Sequence, residues 1–158
     1  MIVGGRHDDG KARTVGEVIR GGTDAAPRVI DTVAWVLLAE GRILGARSRG
    51  NDVFYIPGGK RKPGESDVET LTREVREELS VSLVPGTAEH VGTYTAAAHG
   101  HPEGTLVTMA CYTAEYRGTL TASSEIEEIA WLRLADRGRT APVDHAVFDD
   151  LARVGRLR

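Results

Sequence analysis

Residues 59–81 read GKRKPGESDVETLTREVREELSV. The stretch divides at Ser66. Before it lies a loop with two glycines, Pro63 and the cations Lys60, Arg61 and Lys62. After it comes a run with helical period. Ser66 followed three residues later by Glu69 is a capping box: a hydroxyl for an orphan N–H and a carboxylate reaching back. This predicts a helix over Asp67 to Leu79. At about 100° per residue, Val68, Leu71, Val75 and Leu79 fall within an arc of about 80° and form the expected core stripe. Glu74, Glu77 and Glu78 fall within about 100° beside that stripe, rather than opposite it.

Three carboxylates on one flank repel, and partial desolvation strengthens the repulsion. Arg73, four residues before Glu77, offsets part of that charge. Two readings follow from the helix alone. One is a solvated acidic face. The other is a site for a hard divalent cation, Mg²⁺ or Mn²⁺, which prefers oxygen ligands and keeps room for phosphate oxygens.

Working outward, residues 1–28 are rich in glycine and charge and are expected to form a flexible N-terminal arm; residues 29–158 form one domain. Val29 to Leu38 reads as a buried strand, and Arg42 to Ser48 as its hairpin return across Glu40-Gly41. Phe54-Tyr55-Ile56 reads as a short strand stopped by Pro57-Gly58-Gly59. Strands are expected over Ala88 to Ala96, Thr105 to Tyr116 and Ile129 to Leu134, and a closing helix over Val143 to Val154. This order indicates an α+β fold with a mixed sheet. Phe54 and Trp131 are expected in the core.

A net charge of −3 argues against bulk attraction to nucleic acid or an anionic membrane. No apolar run approaches the roughly 18 residues of a membrane span. Cys111 is the only cysteine, so no intrachain disulfide forms. With no secretory leader in view, a reducing, cytoplasmic setting is expected.

The loop decides between the two readings of the helix. Gly59 to Val81 resembles the Nudix box, G-x5-E-x7-R-E-U-x-E-E-x-G-U with U aliphatic. Gly59, Glu65, Arg73-Glu74, Val75, Glu77-Glu78 and Val81 match, and Ser80 stands where the family has glycine. The lead-in FYIPGG (Phe54 to Gly59) agrees. The resemblance implies an α/β/α sandwich and metal-dependent hydrolysis of a nucleoside diphosphate linked to another group. It implies Glu74, Glu77 and Glu78 as metal ligands, Glu74 also as general base, and the Gly59 carbonyl as a further ligand. Glu65 and Arg73 become a brace between loop and helix. Ser80 affects only the helix end, where a left-handed residue costs about 1 kcal/mol.

The family also uses an acid on a later loop. Glu125 is the candidate here, ahead of Glu127 and Glu128. Arg47, Arg49, Tyr55, Lys60 and His99 are candidates for substrate binding, Arg61 and Lys62 for phosphate contact, and Tyr55 or Trp35 for base stacking. The expected partner is a small nucleotide: a nucleoside triphosphate, oxidised or not, or a sugar or dinucleotide diphosphate. Alternatives are an RNA 5′ end or a sensor that binds without hydrolysis. Specificity in the family comes from variable loops and sometimes from a second copy of the chain, so a homodimer belongs to the expectation.

Overall fold

Strand β1 (Val29–Trp35) is the spine of the molecule. The computed structural model describes residues 26–158. Most of the expected arm, residues 1–25, therefore lies outside the described residues. Three strands follow β1: β2 (Leu38–Ala39), β3 (Arg42–Ser48) and β4 (Gly58–Lys60). Helix α1 (Asp67–Leu79) leads to β5 (Ser82–Leu83), β6 (Glu89–Ala97), β7 (Leu106–Thr113), β8 (Tyr116–Arg117) and β9 (Ile126–Leu132). A 3-10 segment at Leu134–Arg139 precedes helix α2 (Pro142–Arg153).

The larger sheet has the order β4-β1-β7-β6 and is mixed, as expected: β1 runs parallel to β7 and antiparallel to β4. A smaller antiparallel sheet has the order β2-β3-β9. Alternation along β1 splits the core between two helices. Val33 and Trp35 pack with Leu44 and with Leu71, Val75 and Leu79 of α1. Ala34 and Val36 pack with Ile43, Phe54 and Met109 and with Val143, Val147, Phe148 and Leu151 of α2. The result is an α/β/α sandwich. Among the described residues, no helix is long and apolar enough to cross a membrane.

Both ends of α1 are formed as the sequence suggests. The Glu69 amide donates to the Ser66 hydroxyl at 3.2 Å, and Glu69 accepts from the Ser66 amide at 2.9 Å. Such a cap contributes about 1 kcal/mol. At the other end Ser80 is left-handed, with φ 59°, and its amide donates to the Arg76 carbonyl. Its hydroxyl lies 3.2 Å from that of Ser123.

Three expectations need correction. Val68 is 45% exposed, whereas Thr70 and Glu78 are buried. The buried arc runs from Thr70 through Glu74 and Glu78 to Leu71, Val75 and Leu79, so its centre lies roughly 50° nearer the acids than the apolar stripe alone suggests. The cause is β4, whose backbone covers the acidic flank. Second, Phe54-Tyr55-Ile56 forms only single bridges, Tyr55 to Ala46 and Phe54 to Thr140; the strand is Gly58–Lys60 itself. Glycine serves there because a Cβ on Gly58 would stand 2.0 Å from the Val33 carbonyl oxygen, and its φ is 151°. Third, Phe54 is core but Trp131 is 38% exposed, because β9 is an edge strand.

The unequal burial along α1 is directly testable. Leu71→Ala should destabilise the fold by about 2–5 kcal/mol, through lost transfer energy and the cavity left behind. Val68→Ala should stay within about 0.5 kcal/mol of wild type in urea denaturation.

Candidate active site

Strand β4 and helix α1 meet at two glycines. A Cβ on Gly59 would lie 2.4 Å from the Glu74 carboxyl carbon, so only glycine lets the backbone approach that acid. One residue earlier, the Gly58 amide donates to Glu78 at 3.2 Å. The glycines therefore act as a floor on which two helix carboxylates rest.

Arg73 fastens loop to helix. Its Nε and Nη2 each donate to Glu65 at 2.8 Å, one to each carboxylate oxygen. Nη2 also donates to the Lys60 carbonyl at 3.1 Å, and Nη1 to Glu74 at 2.8 Å. Glu77 stands farther off, at 3.6 Å, and is half exposed. The Arg73 guanidinium, helped by the Lys62 amide, holds the Glu65 carboxyl down at about 2. Opposite charge and bidentate geometry both favour the ionised pair.

Glu78 has the reverse environment. Burial pushes its carboxyl up to about 8, and the charge of Glu74 adds to the shift. The Gly58 amide opposes it, while Glu125 and Glu77 contribute further in the upward direction. Glu125 arrives on the segment that closes the C-terminus of α1. The amides of Thr121 and Ser123 donate to the Leu79 and Glu78 carbonyls, and the Ser123 hydroxyl to that of Glu77. Three orphan carbonyls of the helix end are thereby satisfied. The same bonds set Glu125 beside Glu78, with its carboxylate accepting from the Ser124 hydroxyl at 2.9 Å.

Among the described residues, no three acids close around one point by themselves. Glu74 leans to Arg73 and Glu78 to the Gly58 amide. The donor set nonetheless fits a hard divalent cation. Carboxylates crowd a buried position, the backbone comes within reach at Gly59, and the negative charge exceeds what Arg73 alone offsets.

A cleft of about 470 Å³ opens from these acids. Gly58, Gly59, Lys60, Glu78 and Glu125 line one part, and Tyr55 and His99 line it elsewhere. Thus three of the five substrate-binding candidates, Tyr55, Lys60 and His99, border one space. His99 also lies 3.3 Å from Asp52. Arg47 and Arg49 do not line the cleft. Arg47 is held by Glu127 at 3.0 Å and Glu128 at 2.9 Å, which are strand β9 residues rather than free loop acids. Arg49 donates to the Ser124 carbonyl. Arg61 is likewise committed, to Asp31 and Asp67. Trp35 is fully buried, with its ring N–H donating to the Ala114 carbonyl, so it cannot stack on a base.

Sequence reading missed Asp144. It sits in the first turn of α2, lines the cleft, and is 1% exposed. Burial pushes its carboxyl up to about 8, against the opposing pull of the Ile56 and Ala141 amides. Neither carboxyl oxygen has a hydrogen-bond partner of good geometry. An acid in the first turn of a helix looks ordinary in sequence, and only its burial marks it out.

Comparison with known proteins gives a consistent picture. The NUDIX domain family model matches residues 27–151. The chain is 30% identical over 109 residues to a CTP pyrophosphohydrolase of Escherichia coli (strain K12), spanning 66% of this chain and 76% of that protein. The solution structure of the E. coli ORF135 protein superposes with a TM-score of 0.65 at 24% identity, covering 84% of this chain and 95% of the other. The MutT protein from Methanosarcina mazei Go1 gives 0.67 at 23%, covering 84% and 99%.

The Asp144 carboxyl makes stability depend on pH. The folded protein keeps a proton there that the unfolded chain has released, so stability falls as pH rises from about 4 to about 8 and levels off above. Asp144→Asn should flatten this decline in metal-free thermal melts. The variant should melt above wild type at pH 8, by roughly 2–4 °C for each kcal/mol relieved.

Proposed function

The chain belongs to the Nudix hydrolase family, and from that premise we propose that it hydrolyses a nucleoside triphosphate with Mg²⁺, releasing diphosphate and the nucleoside monophosphate. Mn²⁺ is the natural substitute ion. The observation that carries this reading is the cradle itself: Gly58 and Gly59 under Glu78 and Glu74, at the mouth of a cleft that also receives Glu125. The name of the E. coli relative, a CTP pyrophosphohydrolase, supports a triphosphate over a nucleotide sugar.

Each residue has a task under this reading. Glu74, Glu77, Glu78 and the Gly59 carbonyl would hold the ion. When bound, the ion neutralises phosphate oxygens and lowers the pKa of attacking water. Arg73 and Glu65 fix the loop so that the Gly59 carbonyl and the helix acids keep one relative position. Lys60, at the cleft wall, meets phosphate charge. Glu74 takes the proton of the attacking water, with Glu125 orienting that water from the opposite segment. Water adds to one of the two phosphorus atoms of the α–β bridge, the bridging P–O bond breaks, and the nucleoside monophosphate and diphosphate separate, one of them carrying the new oxygen. Cys111, buried, weakly acidic and without a disulfide partner, suits the reducing cytoplasm.

An RNA 5′ end is a poorer substrate for this site. Among the described residues, Arg47, Arg49 and Arg61 are already engaged within the chain, which leaves them less available to a polynucleotide backbone.

A panel of nucleoside triphosphates and nucleotide sugars, assayed with Mg²⁺ and with Mn²⁺ for diphosphate release, tests the reading. Turnover of triphosphates with release of diphosphate is expected; a folded protein that turns over none of them defeats the proposal. Glu74→Gln should lower kcat by about 10²-fold or more without altering the melt. Glu125→Gln should reduce kcat or metal affinity; unchanged values for both would make that acid ordinary surface.

A further inference from the structure

The far end of the smaller sheet holds a second concave surface. Strand β3 starts at Arg42 and reaches the cleft at Ser48, so its two ends stand about 20 Å apart. At the Arg42 end lies a shallow hollow of about 380 Å³, lined by Glu40, Gly41, Arg42, Arg133, Ala135 and Arg158. Three guanidinium groups thus share one hollow with a single carboxylate side chain. Among the described residues, none of the three has an ion-pair or hydrogen-bond partner. Other arginines of the C-terminal part do pair: Arg137 with Asp149 at 2.8 Å, Arg139 with Asp136 at 3.0 Å and Arg153 with Asp150 at 3.0 Å.

The three unpaired arginines come from separate parts of the chain. In the antiparallel register of β3 with β9, Ile43 faces Leu132, so the next pair outward is Arg42 with Arg133. Like charges directly opposite on paired strands are destabilising. Arg158 is placed by its backbone. Its amide donates to the Gly41 carbonyl and its carbonyl accepts from the Leu134 amide, each at 2.9 Å. Leu157, 2% exposed, anchors the segment. The methylene stem of Arg158 lies over Gly41, where a Cβ would come within 3.4 Å of it. That stem is laid down before any ligand arrives, which lowers the ordering cost of binding one.

We infer that this hollow is a second anion site, which takes a compact phosphate group: inorganic phosphate, diphosphate or the phosphate tail of a small metabolite. Guanidinium forks match phosphate oxygens two at a time, and a cluster of them holds such a group without a metal. The cleft is the wrong place for a bare anion, because its carboxylates repel one until a cation is bound. A polynucleotide suits the hollow less well. It asks for cations spread along a track, whereas Glu40 borders these three and Arg137, Arg139 and Arg153 are neutralised by their partners. The inference stands whether or not the chain hydrolyses nucleotides.

Amide NMR of the full chain, stripped of divalent ions, tests it with inorganic phosphate and inorganic diphosphate as probes. Diphosphate is expected to produce saturable shifts at the amides of Gly41, Arg42, Ala135 and Arg158, and to bind more tightly than phosphate. Arg133→Gln and Arg42→Gln should each weaken diphosphate by about tenfold, the loss of one charge-assisted contact, with the thermal melt unchanged. Lys60→Gln, in the cleft, should leave these shifts as they are. Shifts centred on Gly58 and Gly59, no saturation below about 10 mM, or unchanged affinity in either arginine variant would overturn the inference. A thymidine decanucleotide that binds the same amides more tightly than diphosphate would overturn it too, in favour of a nucleic-acid contact.

Discussion

The guanidinium of Arg73 is the constraint on which the site depends. It spans three parts of the chain: the loop acid Glu65, the Lys60 carbonyl at the end of β4, and its neighbour Glu74. Without it, a loop with two glycines and a proline has little to fix its conformation. With it, β4 is drawn against α1 closely enough that residue 59 has no room for a side chain. The acids of α1 are then held between a fixed backbone floor and a helix that cannot turn away. Breaking a partly buried pair of this type leaves one charge uncompensated, which is why the brace matters more than an exposed ion pair would.

The helix carrying the acids was legible in sequence because its signals are local. Ser66, Glu69 and the left-handed Ser80 each act within four residues, and each behaves as its type suggests. The rotation of the helix was not legible. It depends on which flank β4 covers, and β4 was concealed because glycines read as breakers. Here glycine permits pairing, since a larger residue would meet the Val33 carbonyl. Burial of Glu78 beside the apolar stripe follows from that single fact.

The crowding of the acids could be placed from helical spacing, and the brace from the resemblance to the Nudix box. The cationic candidates could not. Arg47, Arg49 and Arg61 look free in sequence, but each finds an acid or carbonyl on a segment distant along the chain. Asp144 is the converse case: an acid that looks solvated and is not. In both instances the deciding information is tertiary. A charge carries one meaning when partnered, another when buried alone, and the sequence around it is the same.

The parallel pairing of β1 with β7 has a consequence for how the molecule comes to exist. Val29 lies beside Leu106 and Trp35 beside Tyr112, so the middle of the sheet joins segments far apart in the chain. Closing so long a loop is entropically slow, whereas the capped helix forms from local bonds. During synthesis the segment from Gly59 to Val81 leaves the ribosome before the strand that completes the sheet beneath it. For that interval its carboxylates stand in water, unburied and unstrained. The high proton affinity of Glu78 is thus acquired late, when β4 and the segment bearing Glu125 have both closed on it.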